Sequence, residues 1–232
     1  MNLNLIKLLG ISLFLINCSL IYSDSKVLYT LDFTNVNASD PRAWLKDKGF
    51  TKIESAAKDQ NKLSLSFADN SLNFDTKGKI FAFILNPSMH IDGAKKIRIT
   101  WGVNKFPDGG SYENAVRNEA LMIYVYFGDK DKDSGSFFIP NCPYFLGLYL
   151  GQNDTIGKIY MGRHFTDGGR FICIGKPQIG ATVVTEYNIA DGFKSAFPAE
   201  KTLPFIAGIA LEVETSSTGP ANAFIKKIEL LN

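Results

Sequence analysis

Hydrophobic and polar residues alternate with a period of two along most of the chain beyond position 26. In the segment 96–103, for example, Ile97, Ile99 and Trp101 alternate with polar residues such as Arg98. This pattern is typical of a strand with one buried face. It predicts about a dozen short strands, at 27–33, 50–56, 62–68, 79–85, 96–103, 121–127, 144–151, 157–165, 170–175, 180–187, 205–214 and 223–228.

Helical patterns are few and short. Asp40 supplies a capping side chain directly before Pro41, which suits the first turn of a helix at 41–48. Gly49 stands where that helix would end. A single turn is predicted at 191–197. Strands and helices do not alternate regularly, so a parallel α/β sheet is not expected. We predict an all-β protein, an antiparallel, jelly-roll-like β-sandwich with one or two short helices.

The composition is that of an ordinary globular protein. The 232 residues are 45% hydrophobic and 21% charged, which argues against intrinsic disorder. The formal net charge is +2, and basic residues do not cluster, so no nucleic-acid partner is expected. Residues 27–232 suit one β-sandwich domain.

The N-terminus is typical of an export signal. Lys7 precedes the apolar run 8–16, which is too short to span a bilayer. Cys18 follows directly after Asn17, as in a bacterial lipoprotein signal, although that signal usually has a small residue before the cysteine. We predict a signal peptide at 1–17, a lipidated Cys18 and a tether at 18–26. The alternative is ordinary signal cleavage after Ser25, which would give a soluble periplasmic or secreted protein.

Two further cysteines, Cys142 and Cys173, remain after Cys18. A pair of cysteines in an exported protein suggests a disulfide. The alternative is two free thiols packed as small hydrophobic residues.

Acidic residues occur where several predicted strands begin or end. Glu212 and Glu214 share one face of a strand, while Glu119 and Glu186 stand at the ends of others. If they converge, these four could bind a polar ligand or a cation, or act as the acid and base of glycoside hydrolysis. Repulsion would then raise at least one pKa unless a cation or an arginine, such as Arg117 or Arg163, sits among them. The alternative is a solvent-exposed strand face.

Aromatic residues supply a second set of candidates. Tyr124 and Tyr126 share the second face of a strand whose first face is already apolar, so either another layer covers them or they form a binding platform. Tyr112 lies in the long segment 104–118 between two strong strands, and long loops in compact domains often carry function. Stacking of sugar rings on such side chains would suit a glycan ligand.

Asp129, Asp131 and Asp133 alternate with lysines between two strands. This spacing suggests calcium, because calcium binds converging oxygen ligands. The pattern departs from an EF-hand, since position twelve is Pro140 instead of glutamate. The alternative is a solvated hairpin tip without a metal.

Four short motifs resemble an uncharacterised family of exported bacterial proteins, domain of unknown function 3047. They are a strand ending in tryptophan at 97–101, an acidic residue opening a Val/Tyr-rich strand at 119–127, and the segments 185–193 and 206–214. The family prefers Asp where this chain has Glu212 and Glu214. The resemblance covers roughly residues 95–231 and implies a single β-sandwich domain, but no activity.

We therefore expect a lipoprotein of the bacterial outer membrane or cell surface, anchored in the lipid bilayer through Cys18. Its expected role is non-enzymatic binding of a polysaccharide or an envelope protein. The alternative is a hydrolase that cleaves glycans with paired carboxylates. A convergent carboxyl pair in an aromatic cleft would favour the enzyme, and scattered carboxylates on a flat face would favour the binding module.

Overall fold

A computed structural model describes residues 25–232, in which strands predominate. The strands are β1 (Val27–Asp32), β2 (Lys52–Ser55), β3 (Leu63–Ala68), β4 (Ser71–Thr76), β5 (Phe81–Asn86), β6 (Lys96–Lys105), β7 (Glu119–Lys132), β8 (Cys142–Leu150), β9 (Ile159–Tyr160), β10 (Gly169–Gly175), β11 (Val183–Asn188), β12 (Ile206–Glu214) and β13 (Asn222–Leu231). The two α-helices are α1 (Pro41–Asp47) and α2 (Ile189–Ala196).

The strands form two sheets. The six-stranded sheet has the order β11-β6-β13-β4-β3, and β1 also pairs with β13. The seven-stranded sheet has the order β2-β5-β12-β7-β8-β10-β9. All strand pairs are antiparallel except β8 and β10, which run parallel. The predicted antiparallel, jelly-roll-like β-sandwich is therefore confirmed.

The hydrophobic core lies between the two sheets. Ile99 and Trp101 from β6 and Ile123 and Val125 from β7 are almost completely buried there. Full burial of each aliphatic side chain contributes roughly 1.5–3 kcal/mol to stability. The indole nitrogen of Trp101 donates a hydrogen bond to Thr185 at 3.0 Å, so burial leaves no polar atom of this side chain unsatisfied.

Both helices have side-chain caps. The carboxylate of Asp40 accepts hydrogen bonds from the first backbone amides of α1, and Gly49, with a φ of +93°, follows the helix in the left-handed region that favours glycine. The side chain of Asn188 caps α2 in the same way. Phe193 of α2 packs against Phe127 of β7, with ring centroids 4.8 Å apart, so the helix is joined to the hydrophobic core.

The predicted disulfide between Cys142 and Cys173 is wrong, because both residues are free thiols. Cys142 opens β8, whereas Cys173 on β10 pairs with Tyr149, seven residues further along β8. Seven residues of strand span about 23 Å. A disulfide requires Cα atoms within about 7 Å, so the register of these strands excludes it.

The predicted signal peptide, Cys18 and most of the tether lie outside the described residues. Within residues 25–232 the structure contains no helix that is long and apolar enough to cross a membrane.

Candidate functional site

A cavity of about 970 Å³ opens on the face of the seven-stranded sheet that is turned away from the core. Strands β5, β12, β7, β8 and β10 form the cavity floor, and loops between strands form its walls. The phenylalanine and tyrosine residues that line it are Phe81, Phe83, Tyr112, Tyr124, Tyr126, Phe138, Phe145, Phe165 and Phe171.

Tyr124 and Tyr126 reach the cavity because side chains alternate along β7. Ile123 and Val125 face the core, so the tyrosines between them face the opposite side. Both tyrosines are buried, at 6% and 8% exposure, among the aromatic side chains of this face. The two tyrosine rings are nearly parallel, with centroids 6.0 Å apart, and both line the cavity.

A β-bulge brings Glu119 to the same face. On β12, Glu212 pairs with Met122 and Glu214 pairs with Glu119, so two residues of β12 span three of β7. The extra residue breaks the alternation, because Ala120 and Leu121 both pack in the core. Without it, Glu119 would point into the core. Bulges that redirect one side chain in this way are common beside active sites.

Glu119 and Glu212 form a buried carboxyl pair. Glu119 is 2% exposed and Glu212 is 7% exposed. Tyr124 donates a hydrogen bond from its hydroxyl to Glu212 Oε2 at 2.8 Å, and Tyr112 donates one to Glu119 Oε2 at 3.3 Å. Each carboxyl group shifts the pKa of the other, so the two are neighbours in the cavity. Glu119 Oε1 has no donor among the other described residues, so a proton held between the carboxyls satisfies this arrangement.

The surroundings of the pair favour protonation. Burial, followed by the charge of Glu212, raises the pKa of Glu119 well above its ordinary value. Burial also raises the pKa of Glu212 to about 7, although hydrogen bonds from Glu119 and Tyr124 oppose the increase. Both shifts favour a proton held by the pair, and its titration belongs to the two carboxyl groups together.

Buried Asp154 holds Tyr112 in position. Its carboxylate accepts hydrogen bonds from Ser111 Oγ at 2.7 Å and from the backbone amide of Glu113 at 3.1 Å, the two residues that flank Tyr112. It also accepts a hydrogen bond from the hydroxyl of Tyr149 at 2.8 Å. Tyr149 stacks on Tyr112, with ring centroids 4.8 Å apart. Asp154 thus supports both the backbone and the ring of the residue that contacts Glu119.

The structure brings together six of the seven residues predicted to bind a ligand. Those lining the cavity are Tyr112, Glu119, Tyr124, Tyr126, Glu212 and Glu214. Sequence analysis missed Phe83, Phe145 and Phe171, and also Asp154 behind the cavity wall. The three phenylalanines lie in strands that were predicted, but alternation alone does not show which face borders a cavity.

The inclusion of Glu186 in this cluster was wrong. Glu186 belongs to β11 in the six-stranded sheet, where it pairs with Arg98 of β6. Its carboxylate forms salt bridges with Lys96 and Arg98, both at 2.9 Å. Hydrogen bonds from Lys96 and then Arg98 lower the pKa of Glu186. The expected cluster of four is therefore a cluster of three.

The expected counter-charge is also different. Arg117 and Arg163 line the cavity, but within residues 25–232 neither forms a salt bridge with the three glutamates. The arginine-bridged network is therefore wrong for the described residues, and the alternative of a bound cation stays a prediction.

Calcium binding by Asp129, Asp131 and Asp133 gains no geometric support. Nowhere in the described part of the chain do three His, Cys, Asp or Glu side chains converge as metal ligands. Asp131 lines the cavity, while Asp133 accepts a hydrogen bond from the backbone amide of Gly135, as in a turn. Calcium binding stays a prediction.

Comparisons with known proteins give architectural similarity only. No family model and no curated protein matches the chain, so the resemblance to domain of unknown function 3047 stays a prediction. The carbohydrate recognition domain of Emp46p in its potassium-bound form is 16% identical, with a TM-score of 0.43, covering 89% of this chain and 97% of that one.

Two similar structures are enzymes. The xyloglucanase domain of NopAA from Sinorhizobium fredii is 13% identical, with a TM-score of 0.39, covering 73% of this chain and 87% of that one. Endoglucanase 3 of Trichoderma harzianum is 9% identical, with a TM-score of 0.39, covering 80% of this chain and 88% of that one. At these values the comparisons carry no inference about function, which rests on the cavity itself.

Proposed function

We propose that the cavity binds a glycan. The observation that carries this proposal is the presence of aromatic faces and buried hydrogen-bonding groups in one cavity. A sugar ring presents apolar C–H faces and polar hydroxyl edges, so it needs both kinds of surface at once. Tyr124 and Phe171 offer ring surface, while the carboxyl pair and Glu214 offer hydrogen-bond acceptors and one donor.

The size of the cavity agrees with this proposal. Its volume of about 970 Å³ lies at the upper end of the usual range for small-molecule sites, roughly 300–1,000 Å³. A glycan hydroxyl in the cavity could donate to Glu212 or accept the proton that Glu119 carries. Because this proton is shared, the pair can act as donor or acceptor at neutral pH.

Binding is tested with the purified full chain on a glycan array, with and without calcium. Glu212→Gln should lower the affinity for any glycan that binds about tenfold or more, because a charged acceptor is lost. The matched control is Glu186→Gln, which makes the same chemical change on the six-stranded sheet and should leave affinity unchanged. Equal effects of the two substitutions, or no binding to any glycan, would contradict the proposal.

Glycan hydrolysis is a second candidate, and the carboxyl pair is the observation that favours it. A protonated carboxyl and an ionised one beside a glycosidic bond are the groups that acid-assisted cleavage requires. Glu119 would protonate the leaving oxygen, and Glu212 would act as the second carboxylate. Retaining enzymes hold these groups about 5–5.5 Å apart, so a substrate would have to replace the hydrogen bond between them.

Hydrolysis is separated from binding by measuring new reducing ends during incubation with the bound glycan. If the protein is an enzyme, Glu119→Gln should lower the rate by at least about a hundredfold, while binding persists. Tight binding by the unmodified protein without any new reducing ends would assign the cavity to recognition alone.

We also propose that the protein is exported and anchored through a lipidated Cys18. The support is the order of charge, apolar run and cysteine at the N-terminus. Intact-mass measurement of the mature protein should show acyl chains on Cys18. An unmodified N-terminus at Asp24 or Lys26 would contradict this proposal.

A further inference from the structure

The loop between β7 and β8 exposes two large apolar side chains. Phe137 is 98% exposed and Phe138 is 90% exposed, which makes them the most exposed large hydrophobic residues of the described chain. Their rings lie 5.6 Å apart and perpendicular to each other. Adjacent aromatic residues with almost no burial contribute little to folding, and exposed apolar surface of this kind is typical of an interaction site.

Hydrogen bonds hold the loop that carries these rings. Ser134 is completely buried, and its hydroxyl donates to Ile139 O at 2.6 Å. Its backbone amide donates to the side chain of Asn141 at 3.0 Å, and its carbonyl accepts a hydrogen bond from the amide of Phe165 at 2.9 Å. Both ends of the loop and the neighbouring cavity wall are thereby joined. The exposed tip is part of a closed loop built around a buried serine.

The tip is continuous with the cavity. Phe138, Ile139 and Pro140 line the cavity, and so does Phe165, to which the loop is hydrogen-bonded. Phe137 stands beside Phe138 and contributes nothing to the lining. An apolar surface therefore runs from the cavity onto the outside of the protein.

We infer that the ligand is a sugar polymer, and that Phe137 and Phe138 form an outer subsite for the part of the polymer beyond the cavity. This inference rests on the proposed function. A ligand enclosed by the cavity would gain nothing from Phe137. A chain of several sugar units can occupy the cavity and cover the exposed rings with successive apolar ring faces, so it uses the whole continuous surface.

Charge near the tip favours this occupant over a bilayer. The end of β7 that leads to the loop carries Asp129 and Asp131, and Asp133 follows the strand; with Lys130 and Lys132 the net charge is −1. Lys132 also lies 3.9 Å from the carboxylate of Glu200. The surface potential of an anionic membrane attracts several clustered lysines and arginines, which this segment does not offer.

The experiment compares short and long probes on the full chain. The probes are β-1,4-linked oligosaccharides of glucose, xylose and N-acetylglucosamine, each as dimer and hexamer, measured by isothermal titration calorimetry. For the sugar that binds, the hexamer should bind about tenfold more tightly than the dimer. The double variant Phe137→Ala/Phe138→Ala should abolish this gain. Phe137→Ala alone removes only the ring outside the cavity lining, so it should reduce the gain and leave dimer affinity unchanged. Because both side chains are exposed, thermal stability should not change.

Val184→Ala is the control, since Val184 is an exposed apolar residue on the six-stranded sheet and should affect neither probe. If the double variant keeps the tenfold gain, or if the hexamer binds no better than the dimer, the outer subsite is overturned while the proposed function stands. If no probe binds, the outer subsite for these polymers is overturned, and the proposed function is decided by the glycan array. If the unmodified protein binds phosphatidylcholine–phosphatidylglycerol vesicles and the double variant does not, the tip is a membrane site and the inference is wrong.

Discussion

Glu186 and the carboxyl pair occupy opposite environments in the two sheets. Glu186 lies on the surface of the six-stranded sheet between Lys96 and Arg98, where the cations favour its charged form. Glu119 and Glu212 lie in the cavity of the seven-stranded sheet, where burial and mutual repulsion favour a shared proton. In the sequence all of them are glutamates at or near strand ends. What separates them is the partner strand, which supplies two cations in one sheet and a second carboxyl in the other.

This difference has a physical consequence for function. A surface carboxylate between two cations is electrostatically satisfied and makes at most a small contribution to stability. A buried carboxyl pair costs folding free energy whenever both groups ionise. Groups held in such an unfavourable state are found preferentially at functional sites. Function is therefore expected at the cavity of the seven-stranded sheet and not at Glu186.

The largest expected effect is a loss of stability with rising pH. The pKa of Glu212 is raised from 4.5 to about 7 in the folded protein. Its contribution is fully present below pH 4.5 and is lost as the pH rises towards and through 7. The free energy of unfolding should fall by on the order of 3 kcal/mol between pH 4.5 and 8, because each pKa unit corresponds to about 1.36 kcal/mol. Glu119, whose pKa is also raised, acts in the same direction.

Urea denaturation across this pH range measures the effect. Glu212→Gln should remove the part of the pH dependence that Glu212 supplies, Glu119→Gln should remove the part that Glu119 supplies, and Glu186→Gln should leave both in place. A stability that stays constant or rises from pH 5 to pH 8 in the unmodified protein would show that the pair does not hold a proton.

The second effect concerns Asp154, a buried side chain that accepts three hydrogen bonds. Asp154→Asn should lower the free energy of unfolding by about 1–3 kcal/mol, because the amide cannot accept all three bonds. Asp129→Asn, at an exposed position, should change stability by less than about 0.5 kcal/mol. Chemical denaturation of both variants tests this, and similar values would mean that Asp154 does not support the wall.

Removal of one hydroxyl group gives a smaller effect. Tyr124→Phe should raise the pKa of Glu212 further, because the hydroxyl of Tyr124 stabilises the charged form. It should cost about 1 kcal/mol at pH 8. Tyr126→Phe is the matched control, two residues away on the same strand, since its hydroxyl forms no hydrogen bond with a described side chain. Carboxyl titration by ¹³C NMR measures the pKa of Glu212. A lower pKa of Glu212 in Tyr124→Phe would contradict the hydrogen bond assigned to the Tyr124 hydroxyl.

The smallest effect belongs to Glu186. Glu186→Gln should cost roughly 0.2–1 kcal/mol near neutral pH, as for other surface ion pairs. The contribution of a carboxylate with a lowered pKa is present above its unfolded value of 4.5 and is lost as the pH falls below it. Added salt should also weaken it. Denaturation at low and high ionic strength provides the measurement, and a loss that grows with salt would contradict this interpretation.

Much of the fold could be predicted because alternating hydrophobic and polar residues indicate strands. The faces of β6 and β12 follow directly from the sequence, and the core position of Trp101 is confirmed. One strand was missed: β4, although Leu72 and Phe74 alternate with polar residues as in the other strands. The reverse error occurred at 157–165, where only Ile159–Tyr160 pairs as a strand.

The site was less predictable because it depends on which strands become neighbours. Alternation correctly grouped Tyr124 with Tyr126 and Glu212 with Glu214, since each pair lies on one strand. It could not place Glu186 in the other sheet, and it could not separate Cys142 from Cys173 along two paired strands. These are properties of strand order and register, which local patterns do not contain.

The bulge in β7 also determines how this protein can change by mutation. Deletion of Ala120 would remove the bulge and still leave Glu119 opposite Glu214, because Glu119 would then stand two positions before Met122. If the strand became regular without a deletion, Glu119 would point into the core. The acidic residue can therefore be preserved through a one-residue deletion that a rigid alignment would count as its loss. Searches for distant relatives should accept a glutamate or aspartate either two or three positions before the residue equivalent to Met122.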